Sequence, residues 1–427
     1  MSSHQVGPQE GAVNAVLIQN MLSEKEATAY VASAGFRAGS VGSVGTELEW
    51  VVRDPAAPLS RPMPDRLREA VRDLPDPLPG GGRITIEPGG QLELSSGVGA
   101  SLGECVADTR ADMALLTAAV ETAGLRLEGG GLDMLRPAFR VLDTPRYEAL
   151  ERFNDRSGPE GRVVACNSAS VQVCLDSGDD SDGWLGYQRR WWLADAMGPL
   201  LLAIFANSPG TAGGHRWRST RQVLRFAMDP SRTRAPRMTD DPRKEWARYA
   251  LAAKVSVVAS EDGQDWTAPE GLTMRDWLRG GGPRPVTYID LEMHLGTLVP
   301  PVRPRGYLEF RMIDQQDGEN WVVPVALVTG LMDDPVTAER AAAVVAPLRS
   351  LRRHHDWVTA ARRGLREPGL AEAATACFSL ALEGLERLGA PGDIMAAVAE
   401  FAERYPVRGR CPADDVAARR VRSAVAA

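Results

Sequence analysis

Alternation of polar and apolar residues constrains this chain more than any other feature. In TELEWV, Glu47 and Glu49 point one way and Leu48 and Trp50 the other, because successive strand side chains project to opposite faces. QLELSS sets Gln91, Glu93 and Ser95 against Leu92 and Leu94. SASVQVCLD sets Ser168, Ser170, Gln172 and Cys174 against Ala169, Val171, Val173 and Leu175. YIDLEMHL repeats the parity with Asp290, Glu292 and His294, and YLEFR does so with Tyr307, Glu309 and Arg311. Such segments predict an antiparallel sheet with helices on its apolar face and a polar opposite face, an α+β fold; a buried parallel sheet would read as more continuously apolar.

A solvated outer face alternates as well. Here the polar positions are acidic, on strands that carry hardly any lysine, the usual decoration of a solvated strand. Carboxylates gathered on one face repel and raise one another's pKa unless cations neutralise them. Hard divalent ions such as magnesium do this, with phosphate oxygens completing the shell. Glu47 and Glu49 would lie about 6 to 7 Å apart along one strand face. Glu93 and Glu309 would arrive from other strands, with Asp290, Glu292 and His294 as further candidates by parity.

The basic counterpart is GGHRWRSTRQVLRFAMDPSRT, with Arg216, Arg218, Arg221 and Arg225. Arg221 and Arg225 share a face if this stretch is helical; a solvated basic helix is the alternative. Arg311 shares parity with Glu309, so a cation stands beside the proposed acids. Arginine forks match phosphate and carboxylate oxygens, and the combination suits phosphoryl transfer. GxxxxGK[ST], GxGxxG and HExxH are all absent, so any use of ATP must go through metal and sheet. His354 and His355, in LRRHHDW, read as a solvated or interhelical face.

A formal net charge of −7 argues against a general nucleic-acid or anionic-membrane surface. No stretch approaches the roughly 18 apolar residues of a membrane span, and MSSHQVGPQEGAV lacks the order of a secretory signal, so a cytoplasmic location is expected. The five scattered cysteines, Cys105, Cys166, Cys174, Cys377 and Cys411, read as free thiols. Ser23 and Glu26 form a capping box for a first helix. Residues 54–82, punctuated by prolines, are expected as a surface excursion, and from Trp321 onward the pattern is helical.

EPGGQLELSS, TELEW, CNSASVQVCLD, RSTRQVLRFAMDPSRT and HLGTLVPPVRPRGYLEFRMID, in this order, resemble the glutamate-cysteine ligases of the plant and bacterial type, most closely the actinobacterial form that supplies gamma-glutamylcysteine for ergothioneine biosynthesis. The resemblance covers residues 40 to 330. It implies a glutamine synthetase-like catalytic region there, after an N-terminal tail and helix over 1–39, with a helical part over 331–427 packed on the same domain. It implies that ATP phosphorylates the side-chain carboxylate of L-glutamate and that the amine of L-cysteine attacks the acyl phosphate. A ligase of the same fold serving another amine acceptor is the alternative. Carried over, Glu47, Glu49, Glu93 and Glu309 hold magnesium, and Arg311 neutralises the transferring phosphoryl group. Gln172 faces the glutamate, and Arg218 and Arg221 contact nucleotide phosphate or substrate carboxylate. Glu87 supports the acids. Cys174 stands where plant forms tend to have asparagine. A monomer or weak homodimer is expected.

Overall fold

The computed structural model describes residues 21–260, 265–348 and 353–418. Its strands are β1 (Val44–Arg53), β2 (Arg83–Ile86), β3 (Leu92–Ser95), β4 (Arg126–Glu128), β5 (Ser170–Asp176), β6 (Gly210–Ala212), β7 (His215–Trp217), β8 (Val302–Pro304) and β9 (Tyr307–Asp314). The main sheet runs β2-β3-β1-β5-β9-β8, β4 also pairs with β1, and β6 and β7 form a separate ribbon. Every pairing between these strands is antiparallel.

The parity of the sequence becomes register. Glu49 lies opposite Glu93, Glu47 opposite both Ser95 and Gln172, and Cys174 opposite Glu309. Leu48, Leu92, Leu94, Val171, Val173, Leu308 and Phe310 are buried on the other side. Each such side chain contributes about 1.5–3 kcal/mol relative to exposure, which fixes the register, since a slip of one residue would turn the acids inward. Helices Leu102–Thr122, Tyr187–Ile204 and Val322–Met332 lie against these strands. All of Val322–Met332 is buried, which is why that helix is apolar all round. Helices Pro335–Val345, Pro368–Arg387 and Gly392–Arg404 pack on it, in a hydrophobic cluster that runs from Leu22 to Tyr405.

Strict alternation past Arg311 would put Ile313 on the polar face. A bulge prevents this: Val173 lies opposite Phe310 but Val171 opposite Ile313, one residue more on β9 than on β5. Met312 and Ile313 are therefore both buried, and Asp314 comes opposite Ser170.

The glycines of EPGGQLELSS have separate reasons. Gly90 has φ +82°, a conformation that disfavours a side chain. At Gly89 an added Cβ would stand 2.0 Å from the Cys166 carbonyl oxygen, at the end of helix Glu160–Asn167. The turn is thus pressed against that helix, and only glycine permits the approach.

The capping box at Ser23 is present, starting helix Glu24–Gly35, and the five cysteines are unpaired. Residues 54–82 carry the helix Pro64–Val71. The tail before residue 21 lies outside the described residues. One expectation fails: TYIDLEMHL is no strand but the helix Tyr288–Gly296. Thr287 caps it, and Asp290 in return accepts a hydrogen bond from the Thr287 amide at 2.9 Å. Burial at Asp290, Leu291 and His294 follows a helical period, so the parity assigned to these residues does not apply.

Candidate active site

The polar face of the sheet walls a cavity of about 260 Å³. Glu49, Glu87 and Arg311 reach it from the sheet side, and Arg221 and Arg225 from helix Thr220–Ala227. Tyr147 and Phe153, from helix Pro145–Asp155, and Arg232 complete the part that matters for chemistry.

The acids are held by neighbours on the same face. Glu49 accepts hydrogen bonds from Ser170 Oγ at 2.9 Å and Gln172 Nε2 at 3.1 Å. Glu93 accepts from Thr85 Oγ1 at 3.3 Å and Ser95 Oγ at 3.2 Å. Gln91, in the turn, donates to the Ser168 carbonyl at 2.9 Å and accepts from the Gly89 amide at 3.0 Å, fixing the loop that carries Glu87.

Charge is unbalanced here. Burial, then the charge of Glu309, pushes Glu47 up to about 7 against the pull of Arg311. Burial, with Glu49 and Glu47, pushes Glu87 up to about 7 as well. Burial also raises Glu93 well above the usual carboxylate range, and Glu87, Glu47 and Glu49 add to it. Burial first, and mutual repulsion with it, favour the neutral form of these carboxylates against the pull of Arg311.

Glu309 differs. Its oxygens accept from Arg303 Nε at 2.6 Å and Arg303 Nη2 at 2.9 Å, and also from Arg311 Nη1. Burial opposes its ionisation, yet Arg303 and then Arg311 outweigh it and hold the carboxyl down at about 2. Expected as a metal ligand, Glu309 instead spends its oxygens on two guanidinium groups. Arg311 reaches on to Gln172 Oε1, so one chain of contacts links Glu309, Arg311, Gln172 and Glu49.

Arg221 is anchored by the Arg311 carbonyl at 3.1 Å and by Asp314 at 3.6 Å. Arg218 does not line the cavity; it pairs with Asp414 at 3.0 Å, in the helical C-terminal part. Asp290 is engaged by Arg284 at 2.6 and 2.7 Å, and Glu292 accepts from Tyr30. His294 is buried with Nε2 2.8 Å from the Ala250 carbonyl, and burial and then Arg232 lower it to about 3. These three residues take no part in the acidic face. Arg232 and Tyr147 were not singled out from sequence, although Arg232 lies within DPSRT; a buried arginine reads there like an exposed one.

Among the described residues no three His, Cys, Asp or Glu side chains are gathered closely enough to hold a metal ion as they stand. The donor chemistry nonetheless fits magnesium. Glu47, Glu49, Glu87 and Glu93 offer carboxylate oxygens alone, the ligands a hard cation takes, and the raised pKa values of Glu47, Glu87 and Glu93 mark a deficit of positive charge. Among the described residues no helix is long and apolar enough to cross a membrane.

Comparison with known proteins identifies the family and the fold. The glutamate-cysteine ligase EgtA of Mycolicibacterium smegmatis is 40% identical over 415 residues, 95% of this chain and 93% of that protein. The crystal structure of a glutamate-cysteine ligase from Francisella tularensis in complex with AMP superposes with a TM-score of 0.52 at 12% identity, covering 89% of this chain and 85% of that one. A bifunctional glutathione synthetase from Pasteurella multocida gives a TM-score of 0.51 at 18% identity over 90% of this chain, which spans about half (50%) of that protein. The fold is that of the glutamine synthetase-like ligases, with helices behind an antiparallel sheet. The profile of glutamate-cysteine ligase family 2 matches residues 43–426, and the chain belongs to that family.

Proposed function

We propose that this protein is an ATP- and magnesium-dependent glutamate-cysteine ligase that forms gamma-glutamylcysteine through a gamma-glutamyl phosphate. It acts in the cytoplasm, as a monomer or weak homodimer, and its product serves ergothioneine biosynthesis. The observation that carries the reading is the half-buried acidic face of Glu47, Glu49, Glu87 and Glu93, of which Glu49 and Glu87 line one cavity with Arg311.

Magnesium held by these four glutamates would neutralise the oxygens of the ATP phosphates during transfer. Arg311 supplies fixed positive charge where the phosphoryl group passes from ATP to the gamma carboxylate of glutamate. Burial disfavours its charge, but Glu309, Glu47, Glu49 and Glu93 outweigh that, so it stays cationic throughout. Glu309, locked by Arg303, and Gln172 keep the Arg311 guanidinium in place, and preorganised charge of this kind needs no rearrangement during reaction. The amine of cysteine then attacks the acyl phosphate carbon and phosphate leaves. Gln172 and Ser170 hold Glu49, and Arg221 holds the backbone of β9 at Arg311.

The test is a product assay with purified protein, ATP, magnesium and glutamate, comparing cysteine with ammonia and other amino acids. Equal amounts of ADP and gamma-glutamylcysteine, with cysteine the preferred acceptor, are expected. Formation of a different amide in preference would refute the acceptor, and absence of glutamate-dependent ADP would refute the reaction.

A further inference from the structure

Arg218 and Ser219 lead into helix Thr220–Ala227, which delivers Arg221 and Arg225 to the cavity. Distant parts of the chain converge on this entry. The amides of Arg218 and Ser219 both donate to the Ala361 carbonyl of helix Arg353–Arg363, at 2.9 and 3.0 Å, and the Arg218 carbonyl accepts from the Ser208 amide at 3.2 Å. The Arg218 side chain turns to Asp414, its one carboxylate partner among the described residues. Asp414 is 8% exposed and is itself held: Arg366 donates to the same oxygen at 2.9 Å, and the Cys411 amide donates to the other at 3.1 Å. The Ala413 amide ties this segment to the Ala206 carbonyl at 2.8 Å, just beyond helix Tyr187–Ile204. Gly364, at φ +54°, lets the segments close around the arginine, since a Cβ there would stand 3.2 Å from Cys411 Sγ and 3.3 Å from Arg218 Cγ.

Ser219 passes this fixation to the site. Its Oγ accepts from the Gln222 amide at 3.3 Å, capping the helix, and donates to Asp314 at 3.1 Å, at the end of β9. The helix has eight residues and is about 12 Å long, so a shift of its first turn is carried to Arg221 and Arg225. A misplacement of about 1 Å can cost about 100-fold in rate. An ion pair that only fastened the C-terminal part to the rest of the chain could sit anywhere along their contact. This one sits on the residue before the helix cap.

We propose that Asp414 is a positioning residue of the active site, an inference that rests on the ligase reading above. Its pair with Arg218 sets the start of helix Thr220–Ala227, and the helical C-terminal part is the brace against which the arginines of that helix are aligned. Asp414 touches neither substrate nor metal and acts only through Arg218.

The experiment compares wild type with Arg218→Met, Arg218→Lys and Asp414→Asn, at a temperature where circular dichroism shows the proteins folded. Steady-state kinetics gives kcat/KM for glutamate and for ATP, and hydrogen exchange read by mass spectrometry follows the amides of residues 219–227. Arg218→Met and Asp414→Asn are expected to lose about 10-fold or more in at least one kcat/KM. Both should exchange faster over 219–227, while β1 and β5 exchange as in wild type. Arg218→Lys keeps the charge beside Asp414 and recovers most of the loss. Folded Arg218→Met and Asp414→Asn proteins with wild-type kcat/KM overturn the proposal, as does faster exchange spread evenly over the chain, or an Arg218→Lys protein as poor as Arg218→Met. Failure of both Arg218→Met and Asp414→Asn to fold overturns it too, because the pair would then serve folding and not alignment. A wild type that releases no ADP with glutamate overturns the ligase reading separately, and exchange over 219–227 then tests the brace by itself.

Discussion

Replacing Glu309 by glutamine separates two roles that a carboxylate on this sheet can have. The side chain is fully buried and its charge offsets Arg303 and Arg311 together. Glutamine keeps the size but turns an amide N–H toward one guanidinium and removes the charge that both guanidinium groups contact. Breaking a buried ion pair from one side costs about 3 to 5 kcal/mol, because the remaining charge stays buried. For 427 residues, unfolding entropy of about 2.1 cal/mol/K per residue sums to about 0.9 kcal/mol/K. The melting temperature should therefore fall by about 3 to 6 °C, read by calorimetry or circular dichroism without ligands. Activity should fall too, since Arg311 loses the group that fixes it, while the magnesium concentration for half-maximal rate stays near the wild-type value. A Glu309→Gln protein that melts like wild type but needs far more magnesium would refute this reasoning and make Glu309 a metal ligand after all.

Glu49→Gln and Glu93→Gln should behave in the opposite way: glutamate-dependent ADP formation falls by about 100-fold or more, whereas thermal stability without magnesium is unchanged or higher, because one repelling charge has gone. Folded-state pKa values of about 7 at Glu47 and Glu87 lie above the ordinary carboxylate value of 4.5. The folded form thus holds protons that the unfolded form has released between those values, so metal-free stability should fall as pH rises from about 4.5 to 7, and added magnesium should raise the melting temperature more at pH 8 than at pH 5.5. Equal magnesium shifts at the two pH values would contradict the charge deficit. Gly89→Ala forces a methyl to within 2.0 Å of the Cys166 carbonyl oxygen and should cost about 1–3 kcal/mol, lowering activity through the displaced turn; a melting curve like that of wild type would count against the close approach. His294→Asn should leave the pH-rate profile between 6 and 8 unchanged, because burial and Arg232 keep the imidazole neutral down to about 3; loss of a limb of that profile would contradict it.

The strands around the site were legible because their period of two is tied to one-sided burial: Leu48, Leu92 and Val171 must enter the core, so Glu49, Glu93 and Gln172 must face away. The same rule misled at YIDLEMHL, where alternate apolar residues also fit a helix with Asp290, Leu291 and His294 inside. The cue that decides was present, Thr287 three residues before Asp290, a capping box that binds the first turn before any face is chosen. The partner of Glu309 was harder to read. Arg303 comes from β8, a three-residue strand between prolines, and only the pairing of β8 with β9 sets it opposite Glu309. Sequence parity shows which face a residue occupies, not which of its neighbours carries the neutralising charge. Arg218 shows the same limit from the other side, as its partner Asp414 is far along the chain.

The central claim is transfer of a phosphoryl group onto glutamate by the acidic face and Arg311. It is tested most directly with glutamate labelled by 18O in its gamma carboxylate, incubated with protein, ATP, magnesium and cysteine, and mass analysis of the phosphate released. The account predicts one 18O atom in each phosphate formed with gamma-glutamylcysteine, because the bond between the carboxyl carbon and the labelled oxygen breaks when the amine displaces phosphate. Phosphate released with the amide but free of label would contradict it.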